Sequence, residues 1–148
     1  MEVFLKNADQ SGTYDPHDLC RDYYEDDDDK CLAKYAIDRD LTTCSYIGDR
    51  IGWWKAEMER AARIESILFY LLTDNKGYYS KMTVETKMHD NDKWTACIGE
   101  VATEGSVKPF EVKCNQAVTA KYIQISTARK EGLAICEVKV FLATGKIN

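Results

Sequence analysis

Apolar and polar residues alternate with a period of two along much of the chain. Met82, Val84 and Thr86 alternate with Lys81, Thr83, Glu85 and Lys87. Phe110, Val112 and Cys114 alternate with Glu111 and Lys113, and Ile123 and Ile125 with Tyr122, Gln124 and Ser126. The cleanest run is the last, with Ala134, Cys136, Val138, Val140 and Leu142 on one face and Glu137 and Lys139 on the other. Successive side chains of a strand point to opposite faces, so this period predicts strands with one face in a core and one in water. Ile64 to Leu72 is more continuously apolar and reads as a central strand. Helical signals are poor; one stretch, Trp53 to Ala62, reads as a helical turn or two. Turn clusters (TDNKG, HDND, TEGS, RKEG) punctuate the strands, and no internal repeat is visible. The pattern is that of an all-β antiparallel sandwich or barrel.

Residues 9–52 differ. They are rich in Asp, Ser, Thr, Gly and Tyr and alternate little. A loop region this long is usually functional or cross-linked. Cys20 and Cys31 would close a short acidic loop within it, a closure that contributes roughly 2–3 kcal/mol in the chain-entropy model.

Composition narrows the function classes. The 148 residues are one domain's worth, long enough to bury a core without staples. Net charge is −5, yet residues 21–30 (RDYYEDDDDK) alone carry six acids and two bases, so the rest of the chain is close to neutral. No basic field exists to collect phosphates, and nucleic acid is not expected as a partner. The longest apolar run, Ile67 to Leu72, has six residues, far short of a membrane span. No apolar signal segment follows Met1, so a secreted protein is expected here in a mature or recloned form. Asn-x-Ser/Thr is absent, so no N-glycan is expected.

Six cysteines are present (Cys20, Cys31, Cys44, Cys97, Cys114 and Cys136), none in a CxxC pair, and His17 and His89 are not at metal-ligand spacing. Three disulfides in an oxidising compartment fit better than a zinc site, although arithmetic alone does not choose the pairing. Neither a Ser/His/Asp order nor a glycine-rich phosphate loop stands out, so no enzyme is expected.

Several segments, taken in order, resemble the F-type lectins (fucolectins) and the wider discoidin-like galactose-binding domains. LKNADQSGTY (5–14) resembles their opening strand, AIDRD (36–40) the turn that follows, and TTCSY (42–46) the S-C-S-H stretch. WWKAEM (53–58) and RIESILFYLL (63–72) resemble two later strands, and AICEVKVF (134–141) resembles the closing L-C-E-V-E-V-F strand. The resemblance covers about residues 3–142. It implies a jelly-roll sandwich spanning 1–148 as a single domain, with a disulfide-closed acidic insertion around 15–31. DDDDK within that insertion is also the recognition sequence of enteropeptidase and a common engineered tag. The flanking cysteines and the family-like segment before it argue for a native loop.

The resemblance further implies a pairing of Cys44 with Cys136 and of Cys97 with Cys114, leaving Cys20 and Cys31 for the insertion. It implies a structural calcium held by the carbonyls of Tyr35, Asp40, Thr43 and Cys136 and the side chains of Asp38 and Glu137, an all-oxygen set suited to a hard cation. The Asp26 to Asp29 run lacks the spaced ligands and turn glycine of an EF-hand and reads as a solvated loop.

F-type lectins grip fucose with one His and two Arg, whose guanidinium forks donate to vicinal oxygens. At the matching positions this chain has Tyr46, Leu72 and Tyr79, and only Asp74 of the neighbouring polar set remains. The same surface would display Tyr78, with Tyr23 and Tyr24 from the insertion. Tyrosines suit both sugar stacking and protein contacts. Trp53 and Trp54 read as core, by likeness to the family's buried strand. Two expectations follow: a secreted or cell-surface module binding a glycan through a rebuilt, tyrosine-rich site, or a protein-recognition and adhesion module on a scaffold that has lost fucose. Membrane insertion is not expected, because the loops are acidic or mixed.

Overall fold

The computed structural model describes residues 2–11, 32–41, 43–47, 52–71, 82–101, 110–127 and 133–143. Eight strands make up nearly all of it: β1 (Glu2–Val3), β2 (Leu5–Gln10), β3 (Ser45–Ile47), β4 (Gly52–Leu71), β5 (Met82–Lys87), β6 (Thr95–Val101), β7 (Phe110–Thr127) and β8 (Leu133–Leu142). One 3₁₀ turn, Ala33–Ala36, lies between β2 and β3. Every pairing is antiparallel, in the order β1-β8-β4-β7-β5-β6, with β2 added to β4 and β3 to β8.

The stretch that reads as a helical turn, Trp53 to Ala62, is instead the first half of the 20-residue strand β4. Its buried residues, Trp54, Ala56 and Met58, are spaced by two. Only a strand brings such a set to one face, whereas a helix would scatter it around the axis. The second half of β4 buries Ala62, Ile64, Ser66, Ile67 and Phe69. Two consecutive residues, Ser66 and Ile67, point inward where the pairing with β7 and with β8 shifts register, the mark of a bulge that flips the alternation.

β4 and β7 run together for their whole length. Gly52 to Glu57 pair with Tyr122 to Thr127, the register breaks, and Ala62 to Phe69 then pair back to Phe110. One half of this ribbon lies against β2 and β5, the other against β8. The ribbon thus carries the chain from one layer of a β-sandwich to the other. One core fills the space between them, drawn from Trp54, Met58, Ile123 and Ile125 on one side and Ile64, Ile67, Ile135 and Val140 on the other. The Trp54 indole donates to the carbonyl of Ala33 (2.9 Å), so the largest core side chain also pins the 3₁₀ turn.

Two disulfides staple the described strands. Cys44 is bonded to Cys136, 92 residues away, and Cys97 on β6 to Cys114 on β7. Cys20 and Cys31, and the insertion they flank, lie outside the described residues.

Candidate functional site

The strand register brings several chain ends together. Gly52, Thr127, Met82 and Val101 are cross-strand neighbours in one layer. Ile47 pairs with Leu133 and Leu71 with Ile135 in the other. Segments 48–51 and 128–132, only a few residues each, join the two groups. The strand ends bounding 48–51, 72–81, 102–109 and 128–132 therefore gather at one end of the sandwich. Tyr46, opposite Ala134, sits beside that end. Its ring is half-buried against the core, and its carbonyl accepts from the Gln10 side chain at 3.4 Å. The other ligand-binding expectations (Leu72, Asp74, Tyr78 and Tyr79) lie outside the described residues, as do Tyr23 and Tyr24.

Of the residues expected to hold calcium, Asp38, Asp40 and Thr43 share one hydrogen-bonded turn, and the charge of Asp38 reaches Glu137. The 3₁₀ turn packs on β2 and β8, its Ala33 and Ala36 buried, and hands the chain to Ile37–Asp40. The Asp40 N–H donates to Asp38 Oδ1 (3.0 Å) and the Thr43 hydroxyl donates to Asp38 Oδ2. The Thr43 N–H donates to the Asp40 carbonyl (3.2 Å). These bonds gather Asp40 and Thr43 around the Asp38 carboxylate, and Cys44 bolts this turn to Cys136. Arg39, at φ 67°, turns out of this loop to fork onto the Glu2 carboxylate and to lie 4.9 Å over the Phe4 ring.

Ile135 and Glu137 both break the alternation of β8, and Glu137 is the charged one. The sequence pattern puts it on the solvent face, but it is 1% exposed. β1 and β4 flank β8 in the sheet, and residues 33–36 pack on it, so side chains on both of its faces are buried over 134–138. Neither carboxyl oxygen of Glu137 makes a well-formed hydrogen bond; the backbone N–H groups of Arg39 and Val138 lie near enough only to moderate its charge. Burial, reinforced by the negative charge of Asp38 and opposed by Arg39, pushes its carboxyl up to about 7. A cavity of ≈ 90 Å³ opens beside it, lined by Glu2, Ile37 and Arg39 among others. A buried carboxylate with two poorly paired oxygens is costly unless something compensates it. Among the described residues no three His, Cys, Asp or Glu side chains cluster, so side chains alone would not hold a metal. The donors of the expected set, the Asp38 and Glu137 carboxylates with the carbonyls of Tyr35, Asp40, Thr43 and Cys136, are all oxygens, the chemistry that a hard cation takes.

Trp54 is core, as the sequence suggests. Trp53 is not, and lies half-buried on the opposite face of β4 with the Lys55 ammonium 4.8 Å over its ring. Trp94, which the sequence does not place, stands at the end of the 88–94 turn beside Lys87.

No family model matches the chain, and no curated protein matches it. Solved structures do. A pectin-binding carbohydrate-binding module superposes with a TM-score of 0.73 at 18% identity, over 96% of this chain and 94% of that one. Chitosan-binding module 1 of a chitosanase/glucanase from Paenibacillus sp. IK-5 superposes at 0.71 and 16% identity, over 93% and 96%. The lectin domain of lectinolysin, solved with Lewis B antigen, gives 0.69 at 19% identity, over 94% of each chain. The chain thus shares the antiparallel β-sandwich fold of these modules.

Proposed function

We propose that this chain is a single-domain extracellular recognition module of the F-type lectin kind, binding carbohydrate at the end of the sandwich beside Tyr46. The observation that carries this reading is likeness in fold, over more than nine-tenths of its length, to modules that bind pectin, chitosan and Lewis B antigen. The disulfides support an oxidising, extracellular setting. The fucose triad is replaced by Tyr46, Leu72 and Tyr79, so the ligand is taken by tyrosine faces and tips rather than by guanidinium forks. The module is not catalytic. A structural calcium, held by Asp38 and Glu137 with the carbonyls of Tyr35, Asp40, Thr43 and Cys136, would neutralise the buried carboxylate and lock the early loop to β8.

A glycan array, run with calcium and with chelator, tests this. Saturable binding that is lost in Tyr46→Ala supports the reading. Silence across the array, with an extracellular protein recovered by pull-down, replaces it by the second reading, an adhesion module on a degenerate lectin scaffold. The missing His/Arg/Arg triad is the observation that favours that alternative. For calcium the test is thermal: its addition raises the melting temperature by linkage. An unchanged melt removes Asp38 and Glu137 from the site.

A further inference from the structure

The outward face of the β2-β4-β7-β5 layer is not a plain solvated surface. Its side chains fall into three cross-strand rows: Trp53–Ser126–Thr83, Lys55–Gln124–Glu85 and Glu57–Tyr122–Lys87. The last row borders a cleft of ≈ 80 Å³ whose other walls include Asn7, Lys55, Asp90 and Trp94. We propose that this cleft is a second binding site, separate from the loop end, and that its ligand is a neutral oligosaccharide. The inference rests on the carbohydrate-binding reading above and adds to it a site.

The cleft is built before any ligand arrives. The 88–94 turn is closed on itself, the His89 N–H donating to Asp92 Oδ2 (2.9 Å) and the Asp92 N–H to the His89 carbonyl (3.0 Å). Lys87 is held in place by donation to the Asp90 carbonyl (2.7 Å), with its ammonium 4.5 Å from the Trp94 ring centre and 5.6 Å from that of Tyr122. On the opposite wall, Asn7 sits at φ 51° beside the register shift of β2 and donates its amide to Glu57 (3.1 Å). Side chains fixed this way have little rotamer freedom left to lose on binding.

The chemistry of the walls selects the ligand. Among the lining side chains Lys55 and Lys87 match Glu57 and Asp90, while Lys6 and Lys121 pair with Glu57 from outside the cleft, so the lining itself offers no net charge to a polyanion. It does offer charge-assisted donors and acceptors side by side, which a pair of vicinal hydroxyls satisfies at once. Trp94 and Tyr122 supply apolar faces for the C–H surface of a sugar ring. Lys87 also borders a second, wider opening with Met88, Lys93, Thr95 and Thr119, which gives room for a further ring. The Glu57–Tyr122–Lys87 row lies five residues from the Gly52–Thr127–Met82 row, about 17 Å along the strands, so the two sites are distinct.

The experiment is an NMR titration of the uniformly ¹⁵N-labelled protein with lactose, cellobiose and digalacturonate. Lactose or cellobiose is expected to shift the Trp94 indole and Asn7 side-chain amide resonances in a saturable way, while digalacturonate leaves them in place. Trp94→Ala is expected to weaken this binding by about tenfold without changing responses around Tyr46, and Tyr46→Ala to do the reverse. Glu57→Gln, which keeps the shape of the wall, serves if Trp94→Ala loses its spectral dispersion. Shifts confined to residues around Tyr46 overturn the second site and leave the first reading standing. Preferential shifts with digalacturonate overturn the neutral ligand, and no shift with any of the three sugars overturns the second site, whatever the glycan array shows at the first.

Discussion

Glu57 and Glu137 occupy paired regions of one fold and live in opposite conditions. Glu57, on the outward face of β4, is ringed by partners: Asn7 at 3.1 Å, Lys121 at 3.4 Å and Lys6 at 3.8 Å. The Asn7 hydrogen bond first, and the two lysines after it, hold its carboxyl below the usual carboxylate range. Glu137, on β8, is buried with no well-formed hydrogen bond to either oxygen, and its carboxyl is pushed up to about 7. One carboxylate belongs to a surface that can spare contacts to a ligand. The other belongs to a corner that is electrostatically incomplete, which is the condition a bound cation would repair.

Four experiments would break or sharpen that contrast. The largest effect is expected from replacing both Cys44 and Cys136 by Ser. Opening a loop of this length costs on the order of 4 kcal/mol in the chain-entropy model, read as a fall in the denaturant midpoint. Next is calcium itself: at a hundredfold excess over its dissociation constant it should add about 2.7 kcal/mol, and Asp38→Asn should remove that gain. If Asp38→Asn keeps the full gain, the corner is not the metal site.

The third concerns pH in the presence of chelator. The carboxyl of Glu137 is raised on folding, so the folded state holds its proton more tightly than the unfolded one. Its contribution is fully present near pH 4, below the unfolded value, and is lost as pH rises through about 7. Stability should therefore fall across that window, and Glu137→Gln should flatten the profile. The smallest effect is expected at Glu57. Its depressed carboxyl contributes above the ordinary carboxylate range and loses that contribution only in acid, so Glu57→Gln should lower the neutral melting temperature slightly and leave the melt in acid unchanged. A Glu57→Gln protein that melts much earlier at neutral pH would mean that this face is structural rather than a binding surface.

Much of this was legible in the chain itself. Period-two alternation marks β5, β7 and β8 without further help, and the C-E-V run with the S-C-S-H-like stretch locates Cys44 and Cys136, which the structure joins. Trp53 to Ala62 misleads because its Lys, Ala, Glu, Met and Arg are good helix formers, while Trp54, Ala56 and Met58 already show the strand spacing. The burial of Glu137 is not local information, because it depends on residues 33–36 packing over a strand about 100 residues away. The outward rows are half legible. Which residues face out follows from alternation, but their alignment across β4, β7 and β5 is set by register, which no single segment encodes. Trp94 gave no periodic signal at all, since its place depends on the turn that precedes it.

β4 takes part in both layers as one unbroken segment, and this has a kinetic corollary. The layers cannot detach and refold as independent halves, because parting either one strips hydrogen bonds from the strand that holds the other. Amide protons at the centre of β4 should therefore exchange with solvent only through complete opening of the molecule, and those on both sides of its bend should do so at a common rate.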